Sequence, residues 1–184
     1  LKSEKKRSAS EFFVKNTKHF PASLLDSLLT TSLKLKGHEF KSSKAVVRHW
    51  LNHKSAEDLI KVLSIQKGEI RPKLLGYLHL QLNKSKIKTE SSALDLALKE
   101  SKSEEMLRYL VRICSKPADL VLVESYISTE QSEKAIPISI ALIARADRKG
   151  WNQLAHQFAD NTRNLIESIS DSELRDKFKS KLQI

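Results

Sequence analysis

The sequence predicts an all-α protein, and three observations carry that prediction. Apolar side chains recur every three or four positions through most of the 184 residues, the period of one helix face. Only four glycines and four prolines occur, too few for the turn density of a β-sandwich or barrel. Leucine, lysine, serine, alanine and glutamate dominate the rest. With 40% hydrophobic and 30% charged residues the chain is globular rather than disordered. Its length fits one domain or two tightly joined halves, and at that size roughly two thirds of the unfolded surface is buried without help from a metal or disulfide.

Residues 1–10 read as a basic flexible tail built around Lys5-Lys6-Arg7. A short helix is expected near Glu11–Asn16 to bury Phe12, Phe13 and Val14. Pro21 opens the next helix, where its missing N–H costs nothing, and Leu24, Leu25, Leu28, Leu29 and Leu33 line one side of it. Lys34 and Lys36 suit its C-terminal dipole and Gly37 its cap. Ser42 or Ser43 is expected to cap a helix carrying Val46, Val47, Trp50 and Leu51. Ser55-Ala56-Glu57-Asp58 resembles a capping box ahead of Leu59, Ile60 and Leu63, with Gly68 as the stop. Pro72 starts a helix with Leu74, Leu75, Leu78 and Leu82 on one face.

Beyond the polar stretch Asn83–Ser92, helices are expected near Ala93–Lys99 and Ser103–Cys114. The second places Met106, Leu107, Leu110, Val111 and Cys114 on one side. Leu120-Val121-Leu122-Val123 has strand propensity, but the helical pattern on both sides and Pro117 ahead of it favour a helix. Ile136–Ala146 is apolar on almost every side, so it belongs at the centre of the second half, with Gly150 as its stop. Trp151, Leu154, Ala155, Phe158, Leu165, Ile166 and Ile169 trace one stripe. Ser170 and Glu173 then box the start of a last helix with Leu174, Phe178 and Leu182.

About ten or eleven short helices on short connections pack as antiparallel hairpins. The expected architecture is an irregular α-solenoid of such hairpins, with a compact multi-helix bundle as the alternative. Residues 11–83 form the N-terminal helical half, 84–92 a polar connection and 93–184 the C-terminal helical half, together one continuous domain. No tetratricopeptide, ankyrin or leucine-rich pattern is present.

The chemistry-bearing residues point away from an enzyme. Cys114 is the only cysteine, so no internal disulfide forms, and its apolar setting marks a buried thiol. His49 and His53 lie four apart, but no Cys pair or H-E-x-x-H accompanies them, and His38 and Glu39, a loop away, would complete a zinc site only by an accident of folding. Glu104-Glu105, and Glu130 with Glu133, sit where helix starts favour negative charge. Phosphate-binding glycine loops, nucleophile elbows and cofactor motifs are missing from the sequence. Neither a cofactor nor a small-molecule substrate is therefore expected.

The net charge is +11, with lysine far outnumbering arginine. Lysine supplies solubility and long-range attraction, whereas arginine is the residue that grips phosphates and bases bidentately. The expected function is a non-catalytic scaffold or adaptor domain of a larger intracellular protein, cytoplasmic or nuclear, that binds acidic segments of other proteins. A helical-repeat nucleic-acid binder using basic patches is the alternative. The partner-binding candidates are Trp50 and Trp151, the cluster Lys84, Lys86 and Lys88, and the cluster Arg145, Arg148 and Lys149. Lys177, Lys179 and Lys181 form a further patch. The sequence begins without Met and contains no signal peptide and no apolar run long enough for a membrane span, so membrane insertion is not expected.

Overall fold

The computed structural model describes residues 11–35, 37–65, 70–90, 92–101, 103–129 and 135–182. The expectations for the tail 1–10, Lys36, Gly68, Glu130 and Glu133 lie outside the described residues. Every regular element among the described residues is helical. Helix α1 covers residues 11–16 and is followed by 3-10 turns at Thr17–His19 and Ala22–Leu24. Then come α2 (Leu25–Leu33), α3 (Glu39–Leu51), α4 (Ala56–Ile65), α5 (Ile70–Ser85) and α6 (Ala93–Glu100). The second part comprises α7 (Glu104–Ile113), α8 (Pro117–Ser128), α9 (Ala135–Arg148), α10 (Asn152–Glu167) and α11 (Ser172–Leu182). The apolar run Leu120–Val123 lies within α8, where helical neighbours on both sides outweigh strand propensity.

The chain divides into two compact units, one ending at Ala97 and the other beginning at Leu98. In the first, α3 is the hub and packs on α2, α4, α5 and the Thr17–His19 turn. Its buried positions are Ser42, Ser43, Val46, Val47, His49 and Trp50, a continuous strip at helical spacing. Ser42 and Ser43 are therefore interior residues, not the expected caps: the helix begins at Glu39. Ser43 donates to Ser32 Oγ at 2.7 Å, because the Ser32 hydroxyl proton is already given to Leu29 O at 2.7 Å. Two small residues let α2 and α3 approach closely, and each hydroxyl finds a partner in the contact.

Helix boundaries follow their chemistry. Ser55 Oγ accepts from the Glu57 amide at 3.1 Å at the start of α4, and Ser103 Oγ accepts from the Met106 amide at 3.2 Å at the start of α7. Pro72 falls inside the first turn of α5, where an absent N–H is harmless. Gly37 adopts φ +80 in the connection after α2, which already ends at Leu33. Asp171, not the expected Ser170, starts α11 by accepting from the Leu174 amide at 3.0 Å. Helix α5 continues through Lys84 and Ser85 and closes on Lys86, whose φ of 56 is left-handed. Ile87 N then bonds Leu82 O at 3.0 Å, the closure a glycine ordinarily serves.

In the second unit, α9 packs on α7, α8 and α10, in keeping with its nearly all-round apolar sequence. It ends in a Schellman closure: Gly150 at φ +70, its N–H to Asp147 O at 2.8 Å and Trp151 N–H to Ala146 O at 3.0 Å. Ile136, Ile166, Ile169 and Phe178 form a buried cluster that seats α11 on α9 and α10. No helix among the described residues is long and apolar enough to cross a membrane.

Candidate functional site

The expected binding residues meet different fates. Trp50 is 1% exposed, and its indole N–H donates to Ser55 O at 3.0 Å. It belongs to the core of the first unit and offers no surface to a partner, because α3 turns the whole strip from Ser42 to Trp50 inward. Trp151 is half-buried and occupies the residue before α10. Lys84, Lys86 and Lys88 are all exposed, gathered by the end of α5 and the connection after it.

Arg145 separates from Arg148 and Lys149. Its guanidinium donates to Cys114 O through Nε at 3.2 Å and Nη2 at 2.6 Å, tying α9 to the C-terminal end of α7. The cation also complements the negative end of that helix dipole. Arg145 is thus a structural strut rather than part of a surface patch. Replacing it with methionine keeps the aliphatic stem but leaves the Cys114 carbonyl without its donors. The expected cost is about 1–3 kcal/mol, read from urea unfolding. Arg148 and Lys149 remain exposed, with Arg148 Nε on Ala144 O at 2.9 Å. In the third patch, Lys179 pairs with Glu167 at 2.7 Å, and that hydrogen bond holds the Glu167 carboxyl below its ordinary range. Lys181 lies 5.9 Å from the Phe178 ring centroid.

His49 and His53 do meet, edge to face, with ring centroids 4.7 Å apart at 71°. His49 is 5% exposed, however, and its Nε2 meets Phe20 O at 2.7 Å, so that nitrogen carries the proton and is closed to a metal. His49 thereby fastens the segment before α2 onto α3. Among the described residues no group of three or more His, Cys, Asp and Glu side chains is placed to hold a metal ion.

The most developed polar arrangement in the first unit is one that sequence reading passed over. Phe40, Lys44 and Arg48 stand at four-residue intervals on α3 and so form one row along the helix. Tyr77 of α5 faces that row. Its ring meets Phe40 edge-on, with centroids 6.4 Å apart at 81°. Lys44 Nζ lies 4.8 Å from the Phe40 centroid and 5.6 Å from that of Tyr77. Arg48 Cζ is 5.8 Å from the Tyr77 centroid, and Arg48 Nε donates a short hydrogen bond to the Tyr77 hydroxyl. Tyr77 is itself only 6% exposed, so it is a fixed anchor.

Comparison with known protein families, curated proteins and solved structures returns no match. The site is accordingly read from its own chemistry. Aromatic faces attract both cations and immobilise them. Among the described residues neither Lys44 nor Arg48 has a carboxylate partner. With Nε committed to Tyr77, the terminal guanidinium N–H groups and the three ammonium donors of Lys44 stay available to an anion. Two cations held in place without a counter-charge among the described residues form a ready acceptor for an acidic group. The sequence signal was present as Phe40-x-x-x-Lys44-x-x-x-Arg48. Tyr77, the residue that gives the row its meaning, comes from a different helix.

Proposed function

We propose that the chain is a non-catalytic helical protein–protein interaction domain, a scaffold or adaptor module of a larger intracellular protein, that docks acidic segments of its partners. The observation that carries the reading is the Lys44–Arg48 row braced by Phe40 and Tyr77 without a carboxylate partner among the described residues. The net charge of +11 supports it by steering acidic chains toward the surface. Exposed Lys84, Lys86, Lys88, Arg148 and Lys149 add to that field.

A glutamate-rich peptide is the direct probe. Lys44→Ala combined with Arg48→Ala is expected to weaken its binding about tenfold or more by fluorescence anisotropy, since charge-assisted hydrogen bonds are lost. Tyr77→Phe releases the guanidinium without removing charge and is expected to give a smaller loss. Equal affinity for all three proteins removes the site. Nucleic acid is the competing ligand class. Tight binding to generic RNA or duplex DNA that collapses steeply with salt, with no measurable peptide binding, replaces the protein-docking reading. The buried ring of Tyr77 argues against it, because base recognition on a single strand needs an open stacking face.

Irregular stacking of antiparallel hairpins, rather than closure into a bundle, is the architecture proposed for this role, since solenoids present extended grooves. Pairing of consecutive helices supports it, notably α2 with α3 and α9 with α10. A compact chain of this length has a radius of gyration of about 16 Å. X-ray scattering in solution is expected to give a larger value, and a result at the compact figure sinks the stacked arrangement.

A further inference from the structure

We infer that the acidic segment docked at Lys44 and Arg48 is an extended run of about six Asp or Glu residues, laid along a cationic track that leads from α3 to the end of α5. This rests on the docking function proposed above and names the form of the partner.

Lys41 is exposed and stands three residues before Lys44, so the row on α3 holds three cations, Lys41, Lys44 and Arg48, on one face. Helix α3 carries a single carboxylate, Glu39 in its first turn, and α5 carries none. Lys84 follows Tyr77 by seven residues, close to two turns, and so shares the face of α5 that Tyr77 turns toward α3. Tyr77 is buried there, whereas Lys84 is exposed.

One hydrogen bond sets the direction of the track. The Glu90 amide donates to the Glu57 carboxylate, which pins the connection after α5 to the first turn of α4. Helix α4 begins at Ala56, shortly after α3 ends at Leu51. The end of α5 therefore lies at the Arg48 end of α3 rather than the Phe40 end, and α3 stops short of covering Lys84. Lys88, also exposed, belongs to the same end. Glu57 and Glu90 border it, but among the described residues no ion pair joins either to Lys84 or Lys88.

At 1.5 Å per residue, Lys41 to Arg48 covers about 10 Å of α3, and Tyr77 to Lys84 about as much of α5. Joined beside Tyr77, the two rows give a track of roughly 18 Å, the reach of five or six residues at about 3.3 Å each. A lone acidic side chain leaves most of it unused. A run of carboxylates repels itself into an extended form and neutralises the whole row.

The test titrates twelve-residue Gly/Ser peptides, carrying two, four, six or eight consecutive glutamates, into the whole chain and follows amide NMR shifts. Six glutamates are expected to bind about tenfold or more tighter than two, and eight less than about twofold tighter than six. Lys84→Gln with Lys88→Gln is expected to weaken the six-glutamate peptide severalfold and leave the two-glutamate peptide unchanged. Lys149→Gln with Lys177→Gln removes the same charge from the second unit and is expected to change neither. The length series uses the unaltered chain, so it stands even where a substitution disturbs folding. Affinity that stops rising at two glutamates, with Lys44 and Arg48 still required, overturns the track and leaves the docking reading in place. Equal losses from the two double variants reduce the effect to net charge and overturn the track as well. No binding by any peptide removes the docking reading and the track together. Tighter binding of a six-nucleotide single strand through the same lysines overturns the assignment to a protein segment.

Discussion

Replacing Trp50 with alanine is expected to destabilise the first unit by about 3–5 kcal/mol, the range for deleting a large buried aromatic side chain. Trp50 is among the largest fully buried side chains, and its ring sits beneath Lys54, whose Nζ lies 4.8 Å from it. Lys54 also pairs with Asp26 of α2 at 3.0 Å, so the indole helps hold α2 against α3. Alanine leaves a cavity and takes the donor from Ser55 O, next to the start of α4. Urea unfolding followed by circular dichroism measures the loss. Trp151→Ala, at a half-buried position before α10, is expected to cost less. A Trp50→Ala protein as stable as its parent contradicts the interior placement. Because Trp50 holds the helix that carries Lys44 and Arg48, its loss is also expected to weaken acidic-peptide binding indirectly.

The Cys114 thiol is expected to be nearly inert in the folded protein. Burial, reinforced by the negative charge of Asp119 and only partly offset by Arg145, raises its pKa from 9.0 to about 12. Near pH 8 the reactive thiolate is then scarcer by about a thousandfold than for an ordinary cysteine. Its S–H donates to Leu110 O at 3.2 Å, and the residue is fully buried. Iodoacetamide should modify the urea-unfolded chain readily and the folded one only through rare opening. The same shift links to stability. Because the folded state holds the proton more tightly, the thiol's contribution is complete below pH 9.0 and is lost progressively as pH rises toward 12. The slope is at most about 1.4 kcal/mol per pH unit. Comparison with Cys114→Ala isolates it from the titration of lysine and tyrosine. Identical alkaline slopes in the two proteins rule out the effect.

Element by element, the helices were legible where an apolar stripe met a local start or stop signal. Leu25, Leu28 and Leu29 are buried, as are Met106, Leu110 and Val111, because a period near 3.6 allows only one face to be hidden. Ser103, Pro117 and Gly150 mark boundaries through groups within a few residues of themselves. Ser42 and Ser43 misled for a related reason. A serine before an apolar run suits an N-cap, yet the same small hydroxyl suits a close helix–helix contact, and only Ser32 on another helix distinguishes the two. Arg145 had the look of surface charge because its acceptor, Cys114 O, lies 31 residues away.

By itself, the sequence determined which segments coil, where most of them begin and end, which side chains must leave water, and how strongly positive the chain is. Those are local properties, set by hydrophobic spacing and by hydrogen bonds between near neighbours. Tertiary structure alone decided which cations are free and which are committed. It braced Lys44 and Arg48 against Tyr77 and withdrew Arg145 into a strut. An ion or hydroxyl is defined by the partner it meets across the fold, and that partner has no fixed distance along the chain.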